Sequence, residues 1–262
     1  MGSDLVYDVV YATGENGLRR APPARGGDDS LCILFFGGSF GYGTGVNDDQ
    51  TSPYLTGVVT GYRHRIANLG FQGYGAHQML ADLESGQAEA AAGCTPTHAI
   101  FQTVHDHVRR AAGFAPWDPH GPRYALTADG GVVRRGNFDD EKPAFRDAWP
   151  RLAKSFLLRR LVDASFEARH EDYERFAALV DASRNYLTSR YPDIEFHVIL
   201  WNKPWKHDAE YWEGLERRAI TVHPISEVLP DYPEARKKFG LNRHDGHPKP
   251  RTDELIASYL RG

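Results

Sequence analysis

A short apolar run that ends in a cluster of glycines limits the possible folds of this chain more than any other feature. Residues 31–45 read LCILFFGGSFGYGTG. A continuous apolar run is typical of a strand covered on both faces of a sheet, so we predict a buried strand over Cys32–Phe36. The strand leads directly into Gly37-Gly38-Ser39. Glycines at such a position either bring backbone amides up to a phosphate or clear space around a reactive serine, and the rest of the sequence must decide.

Strand-like and helix-like segments alternate along the rest of the chain. We predict further strands at Tyr62–Leu69, His98–Val104, Ile194–Trp201 and Ala219–Val222. We predict helices at Tyr54–Thr60, after a Ser52 cap and Pro53, and at His77–Leu83, Arg151–Ala164, His170–Tyr191, Asp208–Arg217 and Asp253–Leu260. Such alternation is typical of parallel crossover connections, so we expect an α/β fold with a doubly wound sheet of five parallel strands.

Two segments depart from this alternation. Residues 1–30 mix turn residues with one apolar run, and we interpret them as an N-terminal arm with a short strand at Tyr7–Ala12, followed by a single domain over residues 31–262. Residues 113–149 contain several prolines and a hairpin signal at Asp129-Gly130-Gly131, so we interpret them as an insertion over the sheet. We expect this insertion to cover the pocket and select the substrate through its aromatic residues, Trp117, Tyr124 and Phe138.

Composition argues against several classes of protein. The net charge of −4 leaves no basic surplus for a nucleic-acid interface. No apolar run reaches the ~18 residues that a membrane-spanning helix needs, and no signal peptide is recognisable. Two cysteines are too few for a disulfide scaffold; Cys32 lies in the apolar strand and is interpreted as a buried, inert thiol, while a bridge to Cys94 stays open.

Residues with catalytic potential follow the predicted strands. Ligands of open α/β sheets bind beyond the carboxyl ends of the strands, so segments at those ends are expected to meet. They hold a serine, histidines, acids and loops of exposed amides, the parts needed for acyl transfer. In chain order the segments are Gly37-Gly38-Ser39, residues 68–75 (NLGFQGYG), His105-Asp106-His107, and His244-Asp245-Gly246-His247-Pro248 before the last helix.

Three sequence blocks resemble the signature blocks of the SGNH (GDSL-type) hydrolase superfamily, and they lie in the family's order. The blocks are FFGGSFGYGTGVNDDQTSP, NLGFQGYGAHQ and DGHP. The resemblance runs from residue 31 to the end of the chain and skips the insertion. It implies a flavodoxin-like three-layer α/β/α sandwich and a serine esterase without a cofactor. Lipases, carbohydrate acetylesterases, thioesterases and some O-acyltransferases belong to this superfamily.

The resemblance also implies roles for individual residues. Ser39 resembles the nucleophile, His247 the general base and Asp245 its orienting acid. The backbone amides of Ser39 and Gly73 resemble two donors of the oxyanion hole. Two positions depart from the family pattern: Gly38 replaces the usual aspartate, and one residue separates Asp245 from His247 where many members have two.

The third family block is the least regular. The family usually has an asparagine whose side-chain amide supports the oxyanion, whereas this chain has His105-Asp106-His107. An ionised Asp106 cannot donate a hydrogen bond, so either His107 or His105 donates, or the third donor is missing. We expect His105, Asp106 and Phe40 to line the substrate pocket.

Other interpretations stay open at this point. The spacing in Gly41-Tyr42-Gly43-Thr44-Gly45 does not match the dinucleotide fingerprint, so a nucleotide site is disfavoured. A non-catalytic carbohydrate-binding module could use the same fold. We expect a small-molecule or carbohydrate ester as substrate, and a periplasmic or secreted location if the natural chain carries a signal or anchor, otherwise a cytoplasmic one. A metal site is the remaining alternative, with ligands from His105, Asp106, His107, His244, Asp245 and His247.

Overall fold

A computed structural model describes residues 6–27, 30–140, 168–201, 208–232 and 235–261 of the chain. The described strands in chain order are β1 (Cys32–Gly37), β2 (Arg65–Gly70), β3 (His98–Val104), β4 (Pro122–Leu126), β5 (Val132–Asn137), β6 (Glu195–Trp201) and β7 (Thr221–Pro224). The described α-helices are α1 (Ser39–Tyr42), α2 (Ser52–Val59), α3 (Ala76–Glu84), α4 (Gln87–Ala92), α5 (Asp106–Ala111), α6 (His170–Arg190), α7 (Asp208–Glu216), α8 (Ile225–Val228), α9 (Arg236–Phe239) and α10 (Pro250–Tyr259).

A parallel sheet of five strands forms the centre of the fold, in the order β2-β1-β3-β6-β7. Each neighbouring pair in this sheet is parallel. This order corresponds to the flavodoxin-like arrangement, in which the chain reverses its direction of travel across the sheet between β1 and β3. The prediction of an α/β fold with five parallel strands is therefore confirmed.

Helices cover both faces of the sheet, because side chains of alternate strand residues point to opposite sides. On β1, Leu34 and Phe36 belong to one buried cluster that also holds residues of α3 and α6. Ile33 and Phe35 belong to a second cluster with residues of α8 and α10. The result is a three-layer α/β/α sandwich whose carboxyl strand edge remains available for a site.

The hairpin signal in the insertion is confirmed, since β4 and β5 pair in antiparallel orientation around residues 127–131. Other predicted elements differ from the structure. The prediction of a strand at Tyr7–Ala12 is wrong, because these residues form none and the described part of the arm makes only isolated bridges, at Thr13 and Arg19. Thr51 rather than Ser52 caps α2, accepting a hydrogen bond from the backbone N–H of Tyr54. The helix predicted at residues 151–164 lies outside the described residues.

The interpretation of Cys32 as a free thiol is also wrong. Cys32 and Cys94 form a disulfide with their Cα atoms 6.0 Å apart, inside the range that a bridge requires. Cys32 begins β1, and Cys94 lies in the loop that enters β3, the strand paired with β1. Two cysteines that are far apart in sequence therefore become neighbours through strand pairing.

A buried arginine attaches the N-terminal arm to the end of α1 and the loop that follows it. The guanidinium of Arg19 donates to the carbonyls of Tyr42, Gly43 and Val46 at 2.7, 2.5 and 2.6 Å and to Asp48 at 2.9 Å. It also lies over the ring of Tyr42, 4.8 Å from the ring centroid. The loop that follows α1 therefore satisfies its backbone acceptors with one side chain instead of with continued helix.

Within the described ranges, no helix combines the length and the apolar character that crossing a bilayer demands.

Candidate active site

The turn between β1 and α1 holds Ser39 at the carboxyl edge of the sheet. Ser39 is the first residue of α1, directly after the glycines that end the strand. A Cβ atom on Gly37 would lie 2.8 Å from the carbonyl oxygen of Gln102 on β3, so a side chain does not fit there. The glycines therefore let the turn pack closely against the neighbouring strand and present the serine above it.

Three side chains form an unbroken hydrogen-bonded chain at this edge. Ser39 Oγ lies 2.8 Å from His247 Nε2, and His247 Nδ1 lies 2.6 Å from Asp245 Oδ1. The same carboxylate oxygen accepts the backbone N–H of His247 at 2.9 Å. The side chains of His247 and Asp245 are 26% and 23% exposed, so this group of side chains is partly buried but still accessible to solvent.

The loop before α10 positions this histidine and its acid. The side-chain oxygen of Asn242 accepts the backbone N–H groups of His244 and Asp245 at 2.7 and 2.9 Å, which is a typical asparagine turn. The backbone N–H of Leu241 donates to the carbonyl of His247 at 2.8 Å and closes the loop. These contacts fix the loop locally, and Pro250 then begins α10.

Phe40 packs against the imidazole from the side of the sheet. Its ring centroid lies 5.2 Å from that of His247 and 4.9 Å from that of Trp201, the last residue of β6. The sequence suggested Phe40 as a pocket residue; in the structure its ring lies between the imidazole and the buried indole and limits where His247 can turn.

The turn after β2 packs directly on the turn that holds the serine. The backbone N–H of Phe71 donates to the carbonyl of Gly37 at 3.1 Å. Gly73 has a φ of +84°, a conformation that favours glycine. The indole N–H of Trp117 donates to the carbonyl of Gly73 at 3.3 Å, which ties the insertion to this turn.

His107 is fully buried beneath the serine turn. Its Nδ1 lies 3.0 Å from Thr103 Oγ1, which in turn lies 2.7 Å from the hydroxyl of Tyr211. Burial lowers the pKa of His107 well below its ordinary value, and the charge of Arg110 lowers it further, so the ring is neutral. If the threonine hydroxyl donates to Nδ1, the ring carries its proton on Nε2, which faces Gly38.

Arg110 gives a physical reason for the unusual glycine at position 38. A Cβ atom on Gly38 would lie 2.7 Å from Arg110 Nη1, 2.7 Å from His107 Nε2 and 2.8 Å from the carbonyl oxygen of Tyr74. Arg110 Nη1 also donates to that carbonyl at 2.6 Å. These groups therefore fill the space that a side chain at position 38 would need.

Asp106 forms ion pairs with two arginines. Its carboxylate accepts the Nε–H groups of Arg109 and Arg110, each at 2.8 Å. Burial alone would raise the pKa of Asp106, but the two guanidinium groups outweigh it and hold the pKa below its ordinary value. The ionised carboxylate orients Arg110 rather than pointing freely into a pocket.

The remaining histidines considered in the sequence contact other side chains. His105 Nε2 lies 2.9 Å from the hydroxyl of Tyr173 on α6. His244 Nε2 accepts from Arg243 Nε at 2.8 Å. Across the described parts of the chain, no three histidine, cysteine or acidic residues are grouped so that they could hold a metal ion.

Comparison with known proteins gives a similarity of fold. No family model matches the chain, and no curated protein sequence matches it. One crystal structure has a TM-score of 0.50 and 16% identity, covering 88% of this chain and 94% of its own. A protein assigned to the G-D-S-L family of lipolytic proteins, from Desulfitobacterium hafniense DCB-2, has a TM-score of 0.46 and 13% identity and covers 87% of this chain and 96% of its own.

An acetyl xylan esterase from the rumen bacterium Butyrivibrio proteoclasticus has a TM-score of 0.46 and 12% identity. It covers 92% of this chain and 63% of its own. At identities this low, a structural likeness concerns the fold and leaves the chemistry to be argued from the residues of this chain.

Proposed function

We propose that this chain is a serine esterase of the SGNH type, which hydrolyses or transfers an acyl group carried by a small ester or a carbohydrate. One observation carries the proposal: the hydrogen-bonded chain from Ser39 through His247 to Asp245, with contacts of 2.8 and 2.6 Å. Ser39 and His247 lie 208 positions apart in sequence, so a chance turn motif does not explain their contact. A hydroxyl, an imidazole and a carboxylate in this order form the set that activates a serine.

Acylation begins when His247 Nε2 takes the proton of Ser39 Oγ. The oxygen forms a bond to the ester carbonyl carbon, whose carbonyl oxygen becomes an oxyanion. Asp245 holds the proton on Nδ1 and stabilises the imidazolium that forms. The carbon–oxygen bond to the leaving alcohol then breaks, and the alcohol leaves with the proton from Nε2. The product of this step is an acyl ester on Ser39.

Deacylation repeats the sequence with a second hydroxyl compound. Water gives a proton to His247 Nε2 and attacks the acyl carbon, and collapse of the tetrahedral intermediate returns this proton to Ser39 Oγ. The acid is released and the enzyme is restored. A sugar hydroxyl in place of water would give acyl transfer with the same residues, which is why hydrolysis and transfer are both included.

The oxyanion requires donors on the other side of the carbonyl. We assign the backbone N–H groups of Ser39 and Gly73 to this role, because their two turns are in direct contact. His107 completes the set in the tautomer that carries its proton on Nε2. Each such donor typically contributes ~10²–10³ in rate, because it stabilises charge that exists only in the transition state.

The test is hydrolysis of p-nitrophenyl acetate by wild type, Ser39→Ala, His247→Ala and the double variant. Each single variant is expected to lose about 10³-fold or more in kcat, and the double variant little beyond that, since the residues act as a unit. Exposed residues supply matched controls: Ser85→Ala and His170→Ala are expected to keep wild-type rates. A serine-directed phosphonate is expected to label wild type and to leave Ser39→Ala unlabelled.

Two outcomes would overturn the proposal. Full activity in Ser39→Ala would place the nucleophile elsewhere. Absence of both hydrolysis and phosphonate labelling in folded wild type, across acetyl to octanoyl esters, would favour a non-catalytic carbohydrate-binding module on the same fold.

A further inference from the structure

Trp117 is a large apolar side chain that remains 53% exposed although its position is fixed. Its indole N–H donates to the carbonyl of Gly73 at 3.3 Å. The guanidinium carbons of Arg109 and Arg110 lie 5.5 and 5.6 Å from the ring centroid, within the range of cation–π attraction. An exposed indole that is held in one orientation differs from an ordinary surface side chain, which moves among rotamers.

The residue after Trp117 anchors the segment to the first turn of α3. The carboxylate of Asp118 lies 3.1 Å from His77 Nε2 and also accepts from the side-chain amide of Gln78. His77 and Gln78 are buried, so this anchor is attached to the body of the fold. The insertion therefore presents Trp117 from a rigid support.

Trp117 lies beside the turn that we assign to the oxyanion hole. A Cβ atom on Gly73 would lie 2.7 Å from the indole nitrogen, so the ring directly adjoins this turn. The next residue, Tyr74, adjoins the serine turn, because its carbonyl oxygen would lie 2.8 Å from a Cβ atom on Gly38. A substrate with its carbonyl at Ser39 would thus extend one of its groups towards the exposed indole.

We propose that Trp117 is the platform for a saccharide ring next to the reacting ester, so that the substrate class is an acylated carbohydrate. This inference rests on the proposed esterase function and names its substrate. A sugar ring has an apolar C–H face that can cover the exposed indole, and its hydroxyl groups lie around the rim of that face. Arg109 lies over the indole and pairs with Asp106, and Asp118 follows Trp117 in sequence, so charged groups that can meet hydroxyl groups lie near the ring.

A long acyl chain fits this surface poorly. It would cover the indole but would also take water from the neighbouring arginines and carboxylates without offering hydrogen bonds, which is unfavourable. Trp117 is therefore a specificity-determining residue for the alcohol side of the ester, and it acts through binding rather than through the chemical step.

The experiment compares kcat/KM for O-acetylated glucose, mannose and xylose with kcat/KM for p-nitrophenyl acetate, which carries the same acyl group without a sugar. Trp117→Ala is expected to lower the ratio for the best sugar ester about tenfold, mainly through KM, as the loss of one stacking contact predicts. Trp117→Phe is expected to keep most of the ratio. Tyr62→Ala is the matched control, because Tyr62 also lies under an arginine, at 4.8 Å, but precedes β2 at the opposite sheet edge.

An unchanged ratio in Trp117→Ala, or an equal fall in Tyr62→Ala, would overturn the inference. So would a loss that appears for p-nitrophenyl octanoate instead of for the sugar esters. Binding of the same acetylated sugars to Ser39→Ala, followed by tryptophan fluorescence, separates this result from the esterase proposal. Binding that depends on Trp117 supports the platform even if wild type hydrolyses no ester, whereas hydrolysis without such binding overturns the platform alone.

Discussion

Opening the Cys32–Cys94 disulfide is expected to remove a large part of the stability of this fold. The bridge spans a sequence separation of 62 residues, which includes β2, α3 and the turn that carries Gly73. A loop of this length loses ~14 cal/mol/K of chain entropy in the unfolded state when it is closed, which corresponds to about 4 kcal/mol at 25 °C. Because domains of ordinary stability unfold at a cost of ~5–15 kcal/mol, such a loss is easy to measure.

The assay is urea unfolding of wild type with and without a phosphine reductant, and of Cys94→Ser under both conditions. Cys94 is the better position to change, because Cys32 is only 3% exposed and its replacement would also disturb the core. The free energies of unfolding of reduced wild type and of Cys94→Ser are expected to agree within about 1 kcal/mol. The reductant is expected to leave the free energy of unfolding of Cys94→Ser unchanged.

Thiol titration decides how a contrary result is interpreted. If the wild-type midpoint is unchanged although both thiols have been released, the entropy argument is refuted. If unreduced, folded wild type already shows two free thiols, the bridge itself is absent and the structural assignment fails.

Two further predictions concern Asp253 and Gly38. Burial raises the pKa of Asp253 to about 8 from 3.8, so the folded protein holds a proton that the unfolded chain releases. The stability that this carboxyl contributes is complete below about pH 4 and is lost as pH rises towards 8. The loss is up to ~1.4 kcal/mol per pH unit. Asp253→Asn is expected to reduce that decline in urea unfolding at pH 5, 6, 7 and 8, and parallel curves for the two proteins would contradict the assignment. Gly38→Ala is expected to cost ~1–3 kcal/mol of stability and to reduce kcat, because the methyl group would meet Arg110 and His107. Gly27→Ala is the control, because its Cβ atom meets open space. Equal stability and activity of the two variants would contradict the prediction.

The sheet could be predicted because its strands carry local signals. The run at Cys32–Phe36 is apolar at every position, and the structure makes it the second strand of the sheet, covered on both faces. Among the described residues, the short helices α1, α4, α5, α8 and α9 were not predicted. The sequence QAEAAA of α4 is a good helix former but lies between Gly86 and Gly93, and six residues are too few for a periodic pattern to appear. In α5, Asp106 forms ion pairs with the two arginines three and four residues further on. Without these contacts in view, the same residues can also be interpreted as a loop.

The predicted members of the site come together for a topological reason. Ser39 follows β1, while Asp245 and His247 precede α10, and parallel strands place such segments at one edge. Arg19 and Arg110 were missed as members, because each binds a backbone carbonyl far away in sequence. Trp117 was expected to select the substrate, but its hydrogen bond to the carbonyl of Gly73 was not foreseen. Arg19 and Arg110 reach Tyr42 and Tyr74 across 23 and 36 positions, and a carbonyl has no sequence signature.

The two arginines also affect how activity depends on pH, because they act on the charges around the serine turn. Arg19 and Arg110 stay charged throughout the usual range, because a guanidinium does not lose its proton in proteins. Arg110 and Arg109 keep Asp106 ionised, and burial keeps His107 neutral. The charges around the serine turn are therefore constant near neutral pH. Under the proposed function, a change of kcat/KM in that range is therefore not expected to arise from Arg110, Asp106 or His107. Arg110→Met is expected to change the magnitude of kcat/KM through the turn that Arg110 supports and to leave the shape of its pH profile unchanged.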